Sequence, residues 1–461
     1  MCRAIVYATL LLALAAIPRV FLLGNHSLWL DESYSLGVSA SEVSQILANT
    51  DSAHPPLYYL LLHFWLALGR SEVLLRLPSA ILGALSVPLA YVLVRVWFPE
   101  RTALLVAFLL ALSPLHVWYS QEARMYSLVT LLGLGSMLCL SLVLERGGPI
   151  WWVAYLFSSL AGLYTHYGML ALLLGENVWV VSRWATRRGK PGFVGIWFAS
   201  QAALALGFLP WIPVFISNIS GQAGFDSFIL ATLGSLWDAD DGVLLGGGLA
   251  FLLALAVGTS VLWLKRPART AEQRVAWLGT AALVAYPLLT ISSAVPLGIS
   301  VKRQLVILLP YFLLLAAAGL EKLRRGRNLV TLSMVFLACV SLAASYVQRE
   351  TEDWRGPARI VQGEGQANDA ILFYAGYTQS SFNFYYRGAL AEVPVSFGDM
   401  DSQLGDVQHR YRRTWVILSH DTYDDPDGEF RMWVARRWTL LRDWSFVGVE
   451  VRLYDTGNGE S

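Results

Sequence analysis

The chain has 461 residues, of which 56% are hydrophobic and 15% are charged, and its 34 Lys and Arg stand against 33 Asp and Glu. Soluble domains carry about a quarter charged residues, so this composition excludes a set of water-soluble domains for most of the length. A net charge of +1 offers no basic field of the kind that nucleic acid requires, which excludes nucleic acid as a partner.

Long apolar runs recur from the first residues to Tyr346. Each is close to the roughly 20 residues that a helix needs to cross about 30 Å of hydrocarbon. They predict a polytopic α-helical membrane domain over residues 1–347 with about 11 transmembrane helices. The predicted spans are 4–23, 74–96, 102–119, 125–144, 150–165, 168–182, 193–215, 243–264, 275–295, 304–320 and 328–347.

The orientation follows from clusters of Lys and Arg, which all fall on the side of Arg3 when these spans are counted. Loops rich in such residues stay in the cytoplasm, so the opposite side is extracytoplasmic. The apolar stretch 57–69 reaches only about 20 Å as a helix. An added crossing there would move the later clusters to the other face, so we predict an interfacial helix in the first outer loop, 24–73.

Residues 348–461 are charged and polar, with strand-like runs at 370–374, 414–419 and 447–454. A segment of about 110 residues suffices for one domain. The sequence therefore predicts a small C-terminal soluble α/β domain on the extracytoplasmic side of the plasma or inner membrane.

Most span centres consist of Leu, Ala, Val and Gly, whereas ionisable residues collect at outer span ends and in outer loops. A lipid or polysaccharide transporter, in effect a flippase, would instead need charges near mid-membrane and internal symmetry. A third alternative is a binding or scaffold protein that acts at the outer surface through its C-terminal domain. This alternative leaves the motifs described next unexplained. The distribution favours a site at the outer membrane surface.

The first motif of that surface is the acidic pair Asp31 and Glu32, which follows the first span between Trp29 and Tyr34. A carboxylate at headgroup depth suits a general base that acts where a lipid-linked substrate meets water. The structural alternative is that one of the two acids caps a short helix.

Basic residues on the predicted outer side form a second group: Arg124, within the segment 113–126, and Lys302 with Arg303. They run against the positive-inside tendency. Arg recognises phosphate through a planar fork and Lys as a point charge, so these residues are candidates for an anion site. The alternative is snorkelling of their side chains to the lipid headgroups.

Two histidines and two tyrosines complete the candidate set. His54 precedes Pro55-Pro56, which stiffens the backbone and would hold the imidazole for an acceptor or a metal. Tyr58, Tyr126 and His166 lie in or beside predicted outer segments. No HExxH spacing is present, and no Asp-x-Asp spacing lies beside these residues, so the sequence carries only a weak metal signal at them.

Taken in order, these motifs resemble those of GT-C glycosyltransferases of the protein O-mannosyltransferase and aminoarabinose transferase (ArnT-like) superfamily. The likeness covers the first 170 residues and continues thinly beyond them. The motifs that carry it are Asp31-Glu32, His54-Pro55-Pro56-Leu57-Tyr58-Tyr59, Leu75-Arg76-Leu77-Pro78-Ser79-Ala80, Ser120-Gln121-Glu122-Ala123-Arg124-Met125-Tyr126, Val301-Lys302-Arg303-Gln304 and Asp353-Trp354-Arg355-Gly356.

The resemblance implies an inverting hexosyl- or pentosyltransferase that uses a polyprenyl-phosphate-linked sugar and serves a cell-envelope glycan, lipid or protein acceptor. It implies that Asp31 is the base, assisted by Glu32, and that Arg124 with Lys302 or Arg303 holds the donor phosphate. No cofactor is implied with certainty, and a divalent cation, Mg²⁺ or Mn²⁺, stays open. The chain departs from the aminoarabinose transferases at one position of the motif. It has His54 before Pro55-Pro56, where those enzymes have a lysine in a Lys-Pro-Pro sequence.

Overall fold

The computed structural model of the chain describes residues 2–48, 54–186, 192–220, 301–323, 325–349, 351–395, 400–420, 425 and 427–457. The chain divides into two compact units. The membrane-type unit consists of Met1–Phe21, Ser41–Arg70 and Leu74–Gln348, and the C-terminal unit of Leu22–Ala40, Ser71–Val73 and Arg349–Ser461. The segment that carries Asp31 is thus grouped with the tail.

The described helices are numbered in chain order across both units. They are α1 Cys2–Val20, α2 Leu30–Ala40, α3 Val43–Ala48, α4 Leu57–Trp65, α5 Glu72–Trp97, α6 Glu100–Leu112, α7 Pro114–Ser120, α8 Tyr126–Glu145, α9 Pro149–Leu163, α10 Met169–Thr186, α11 Phe193–Phe208, α12 Ile212–Ser220, α13 Val301–Lys322, α14 Arg327–Gln348, α15 Arg355–Glu364, α16 Gln379–Tyr385, α17 Met400–Arg410 and α18 Glu429–Arg437.

Every predicted span that falls within the described residues coincides with a helix or a pair of consecutive helices, whereas 243–264 and 275–295 lie outside them. Among the described residues, 5 helices are long and apolar enough to cross a membrane, or up to 6 if a bent pair counts as one span. Several others, including α9 and the first part of α10, are shorter apolar helices. The predicted interfacial stretch is helical over Leu57–Leu68, and its place in the interface stays a prediction.

The predicted span 102–119 is broken into α6 and α7, whose axes differ by 57°. Ser113 lies between them with an extended backbone, ψ 119°. Pro114 explains this conformation, because proline disfavours helical geometry in the residue before it and is well suited to the first position of a new helix.

Arg19 in α1 and Glu176 in the middle of α10 are fully buried in helices of the membrane-type unit. Glu176 accepts hydrogen bonds from the Ser136 hydroxyl at 2.8 and 3.1 Å. The apolar composition of the surrounding sequence gives no sign of this polar contact between α8 and α10.

The C-terminal unit contains a five-stranded sheet in the order β2-β1-β3-β5-β4. Its strands are β1 Asp369–Phe373, β2 Ala391–Pro394, β3 Arg413–Leu418, β4 Thr439–Phe446 and β5 Val449–Asp455. β1 pairs in parallel with β2 and β3, and β5 pairs antiparallel with β3 and β4.

Helices cover both faces of this sheet. Alternate residues of the interior strand β1 enter two different cores, Ile371 and Phe373 on one face and Leu372 on the other. The first core includes residues of α15 and α16, and the second includes residues of α17 and α18. The runs that predicted β1 and β3 are therefore buried strands, and the run that predicted β5 is a strand with buried alternate residues. The sequence pattern did not predict the edge strands β2 and β4.

Candidate active site

The acidic pair lies in the first turn of α2, which begins at Leu30. Negative charge is favourable there because the first backbone N–H groups of a helix have no intrahelical acceptor. Glu32 is fully buried, and its Oε2 accepts from the Trp29 N–H at 3.4 Å. Asp31 is half-buried. The helix-capping role thus falls on Glu32, and Asp31 is the acid of the pair that is partly exposed.

The start of α2 is held by residues from the tail of the same unit. The Leu30 N–H donates to Oε2 of Glu352 at 3.1 Å. The Arg355 side chain donates to the backbone carbonyls of Gly24, Asn25 and His26 at 2.8 to 3.0 Å. Arg355 belongs to a motif for which the sequence predicted no role, and no sequence pattern predicted the contribution of Glu352.

Arg124 lies in a buried turn between α7 and α8 of the membrane-type unit. Its side chain is 4% exposed, and its carbonyl accepts from the Ser79 hydroxyl at 3.0 Å. The Ser79 oxygen also lies 3.0 Å from the Tyr58 hydroxyl. In the same turn, Oε1 of Glu122 accepts from the Trp118 indole at 2.8 Å. Such burial of Arg124 supports a role inside the protein over snorkelling to the headgroups.

His166 joins His54 and Tyr126 in one aromatic group. The His54 and His166 rings stack with centroids 5.1 Å apart, and the Tyr126 ring lies 5.8 Å from that of His166. Burial and, to a smaller extent, the nearby Arg124 guanidinium lower the pKa of His166 to about 4. The structure therefore brings four of the predicted residues together.

The proton of the neutral His166 ring can be located from its neighbours. Nδ1 accepts from the Gly168 backbone N–H at 2.9 Å. Since a backbone amide is always the donor, Nδ1 carries no proton and the ring proton is on Nε2. Within the described part of the chain, Nε2 is buried and has no hydrogen-bond partner. His166 thus offers one N–H donor beside Arg124.

The remaining predicted phosphate ligands, Lys302 and Arg303, lie in the first turn of α13. Their side chains are outside the described part of the structure. The structure also contains a basic contact that the sequence reading missed: Nη2 of Arg19 lies 2.7 Å from Nδ1 of His116. His116 was visible in the 113–126 segment, but no sequence spacing connects it with α1.

The described side chains do not form a metal site. No group of three or more His, Cys, Asp or Glu among them could hold a metal ion. The stacked pair of His54 and His166 supplies two imidazoles, and no described carboxylate or thiol completes a coordination set there. The two histidines alone are not a coordination set for Mg²⁺ or Mn²⁺, and the divalent cation left open by the sequence stays a prediction.

Comparison with solved structures identifies the architecture. The crystal structure of ArnT from Cupriavidus metallidurans in the apo state matches with a TM-score of 0.63 and 14% identity, over 100% of both chains. The chain has the GT-C glycosyltransferase fold. ArnT from the same organism bound to undecaprenyl phosphate matches with a TM-score of 0.62 and 14% identity, over 98% of this chain and 99% of that one.

Other comparisons agree with the GT-C fold. The Archaeoglobus fulgidus oligosaccharyltransferase, in complex with Zn and sulfate, matches with a TM-score of 0.54 and 11% identity, over 96% of this chain and 72% of that one. Residues 53–214 match the family model for dolichyl-phosphate-mannose-protein mannosyltransferase. No curated protein sequence matches significantly. The predicted fold, a polytopic GT-C membrane protein with a small C-terminal α/β domain, is confirmed.

Proposed function

We propose that this GT-C protein is an inverting glycosyltransferase that moves a sugar from a polyprenyl-phosphate-sugar donor to a hydroxyl group of a cell-envelope acceptor. The observation that carries the proposal is the buried cluster of Arg124 and His166, which lies within the segment matched by the mannosyltransferase family model. The similar ArnT structure bound to undecaprenyl phosphate supports a lipid-linked donor.

The phosphate side of the reaction is assigned to Arg124 and His166. When the bond between the sugar C1 and the phosphate oxygen breaks, the electron pair remains on the phosphate. A guanidinium fork and a neutral N–H donor both stabilise that developing charge without losing a proton. Burial strengthens these interactions because water no longer screens them. Lys302 and Arg303 remain proposed contributors to the same phosphate site.

The acceptor side is assigned to Asp31. The acceptor oxygen forms a bond to C1 from the face opposite the departing phosphate, which inverts the anomeric centre. Its proton passes to the Asp31 carboxylate, and the buried Glu32 supports the helix start that carries this base. Tyr58 and Tyr126 line the Arg124 and His166 region through the contacts described above, and we assign them to substrate contact.

We further propose that the donor binds from the extracytoplasmic leaflet of the plasma or inner membrane, with the C-terminal domain on the same side. The positive-inside distribution of the loops supports this orientation. The sugar is a hexose or a pentose, and the acceptor is a glycan, a lipid or a protein. No step is assigned to a metal ion, because the described side chains offer no suitable set of ligands.

The proposal is tested by incubating the purified full-length protein with radiolabelled polyprenyl-phosphate mannose, glucose, arabinose and aminoarabinose, together with a membrane and cell-wall extract as acceptor. Transfer from one donor, with inversion of its anomeric configuration, is expected. Movement of an intact donor across proteoliposomes without sugar transfer would instead support the transporter alternative. Absence of transfer from all four donors would count against the assignment.

A further inference from the structure

We propose that Glu352 and Arg355 form a clamp that positions the Asp31-bearing helix for catalysis, and that these two residues act as positioning residues rather than touching the substrate. This inference rests on the proposed function, because it assigns a task to residues that support the proposed base. It concerns the C-terminal unit alone, to which residues 22–40 and 349–461 both belong.

The Glu352 carboxylate holds the first turn of α2. Its Oε2 accepts from the Leu30 N–H at 3.1 Å and from the Trp354 indole at 2.8 Å. Its Oε1 lies 2.7 Å from Nε2 of His420. A carboxylate from a distant segment therefore satisfies a backbone donor at the helix start, where intrahelical acceptors are missing. Asp31 is the next residue after Leu30.

Arg355 holds the segment that leads into the same turn. Nη1 donates to the Asn25 carbonyl at 2.9 Å, and Nη2 donates to the Gly24 and His26 carbonyls at 2.8 and 3.0 Å. Three consecutive backbone carbonyls thus face one guanidinium. The planar fork of arginine can serve several acceptors at once, which the ammonium group of lysine does less well.

Glu72 and Tyr385 orient the guanidinium. Nε and Nη2 of Arg355 donate to Oε1 of Glu72 at 2.8 and 2.6 Å, and the Tyr385 hydroxyl donates to the same oxygen at 2.7 Å. The Tyr385 oxygen in turn accepts from the Leu28 N–H at 2.7 Å. Burial raises the pKa of Tyr385, so the hydroxyl keeps the proton that it donates.

The contacts of Glu352 and Arg355 matter mainly because they fix the position of residues 24–30, and less because their charges stabilise the fold. The side chains of Arg355 and Glu72 are 32% and 20% exposed, and ion pairs open to water contribute little stability. Yet every bond described above ends on the seven residues before Asp31, 24–30, or on a group that orients such a bond. Displacement of a catalytic group by about 1 Å can cost 100-fold in rate, so a small loss of fixation is visible in turnover.

The test compares Arg355→Ala, Arg355→Lys, Glu352→Ala and Glu352→Gln in the full-length protein. The matched control is Arg431→Ala, which removes an ion pair to Glu450 of similar exposure in the same unit. Amide hydrogen exchange over residues 24–30 and steady-state kinetics with the donor are measured for each. Both alanine variants should exchange on the order of tenfold faster at Leu28 and Leu30, while the control matches wild type.

Kinetics should separate positioning from binding. We expect kcat to fall on the order of tenfold in both alanine variants, with the donor KM within about twofold of wild type. Glu352→Gln should restore most of kcat because its amide oxygen still accepts from Leu30, and Arg355→Lys should be intermediate. If Arg355→Ala does not fold, the comparison of Glu352→Ala with Glu352→Gln tests the proposal.

Unchanged exchange over residues 24–30 in the alanine variants, or a kcat no lower than that of Arg431→Ala, would overturn the clamp. A raised donor KM with normal kcat would also overturn it, since that result would place these residues at the donor. If wild type transfers no sugar at all, the proposed function fails. The exchange data then decide whether Glu352 and Arg355 hold the segment.

Discussion

The Ser79 hydroxyl donates to the backbone carbonyl of Arg124 at 3.0 Å, across 45 residues of sequence. Because the single Ser79 proton is used in this bond, the Tyr58 hydroxyl must be the donor in its 3.0 Å contact with Ser79. The turn that carries Arg124 is thereby fixed to α5 and α4. A fixed backbone favours a guanidinium that recognises a ligand by geometry as well as charge.

Replacement of Arg124 by alanine is expected to lower activity much more than replacement by lysine. Arg124→Lys keeps the charge but loses the bidentate fork, and Arg124→Ala loses both, so activity should fall in that order. Charge-assisted hydrogen bonds contribute about 1.5 to 3 kcal/mol, which predicts a loss of roughly tenfold to a hundredfold for alanine. Titration of the polyprenyl-phosphate sugar measures this. Three overlapping curves would leave Arg124 without a role in donor binding.

His166 should make the protein less stable in mild acid. Its pKa is lowered to about 4 in the folded chain, against about 6.5 when unfolded. Between these two pKa values the unfolded chain binds a proton at His166 and the folded chain does not. The free energy of unfolding therefore falls as the pH drops from about 6.5 towards about 4. Between pH 7 and 5 the loss should be roughly 2 kcal/mol. Thermal unfolding in detergent at both pH values measures it.

His166→Gln should remove most of this pH dependence, whereas His409→Gln, at an exposed position of α17, should leave it unchanged. Equal slopes in wild type and His166→Gln would mean that His166 is protonated normally in the folded protein.

Replacement of Glu176 by an amide is expected to preserve the stability of the protein, whereas replacement by an aliphatic side chain is expected to lower it. Glu176→Gln keeps an acceptor for the Ser136 hydroxyl and removes any cost of a buried charge, so its melting temperature should equal or exceed that of wild type. Glu176→Leu removes the acceptors and should cost about 1 to 3 kcal/mol. Thermal unfolding in detergent tests both, with the exposed Glu145→Leu as control. A fully stable Glu176→Leu would contradict the expectation.

Asp31→Asn should abolish transfer while expression and donor binding remain normal. The substitution keeps the size and most hydrogen bonds of the side chain but removes the base. A positioned base contributes about 10² to 10⁴ in rate, so the loss of kcat should lie in that range. Asp443→Asn, at an exposed position of β4, is the control. Near-parental turnover of Asp31→Asn would remove Asp31 from the mechanism.

The membrane orientation is tested by cysteine labelling after the three native cysteines are replaced by serine. Ser44→Cys and Asp443→Cys should react with an impermeant thiol reagent in intact cells, because both are exposed and lie in predicted extracytoplasmic segments. Glu145→Cys, in a predicted cytoplasmic loop, should react only after lysis. The reverse pattern would invert the orientation and relocate the proposed site.

The sequence by itself determined the helices and strands that consist of continuous apolar runs, because such runs are visible among neighbouring residues. The lengths of the apolar runs predicted the helices of the membrane-type unit, since burial of a whole helix requires apolar residues throughout. Likewise, the runs at β1 and β3 are visible because these interior strands are buried along nearly their whole length, and the run at β5 is visible because its alternate apolar residues are buried. The exposed strand β4 and the four-residue strand β2 gave no such signal, because edge strands need not be apolar.

Tertiary structure alone decided which distant polar groups meet. No periodicity links Arg355 with the carbonyls of Gly24 to His26, about 330 residues earlier, or Ser79 with Arg124. The sequence could name Asp31, His54 and Arg124 as candidates because their residue types and local motifs suit the chemistry. It could not assign the capping role to Glu32 or the ring proton of His166 to Nε2. Those depend on hydrogen bonds, whose partners are set by three-dimensional distance and direction.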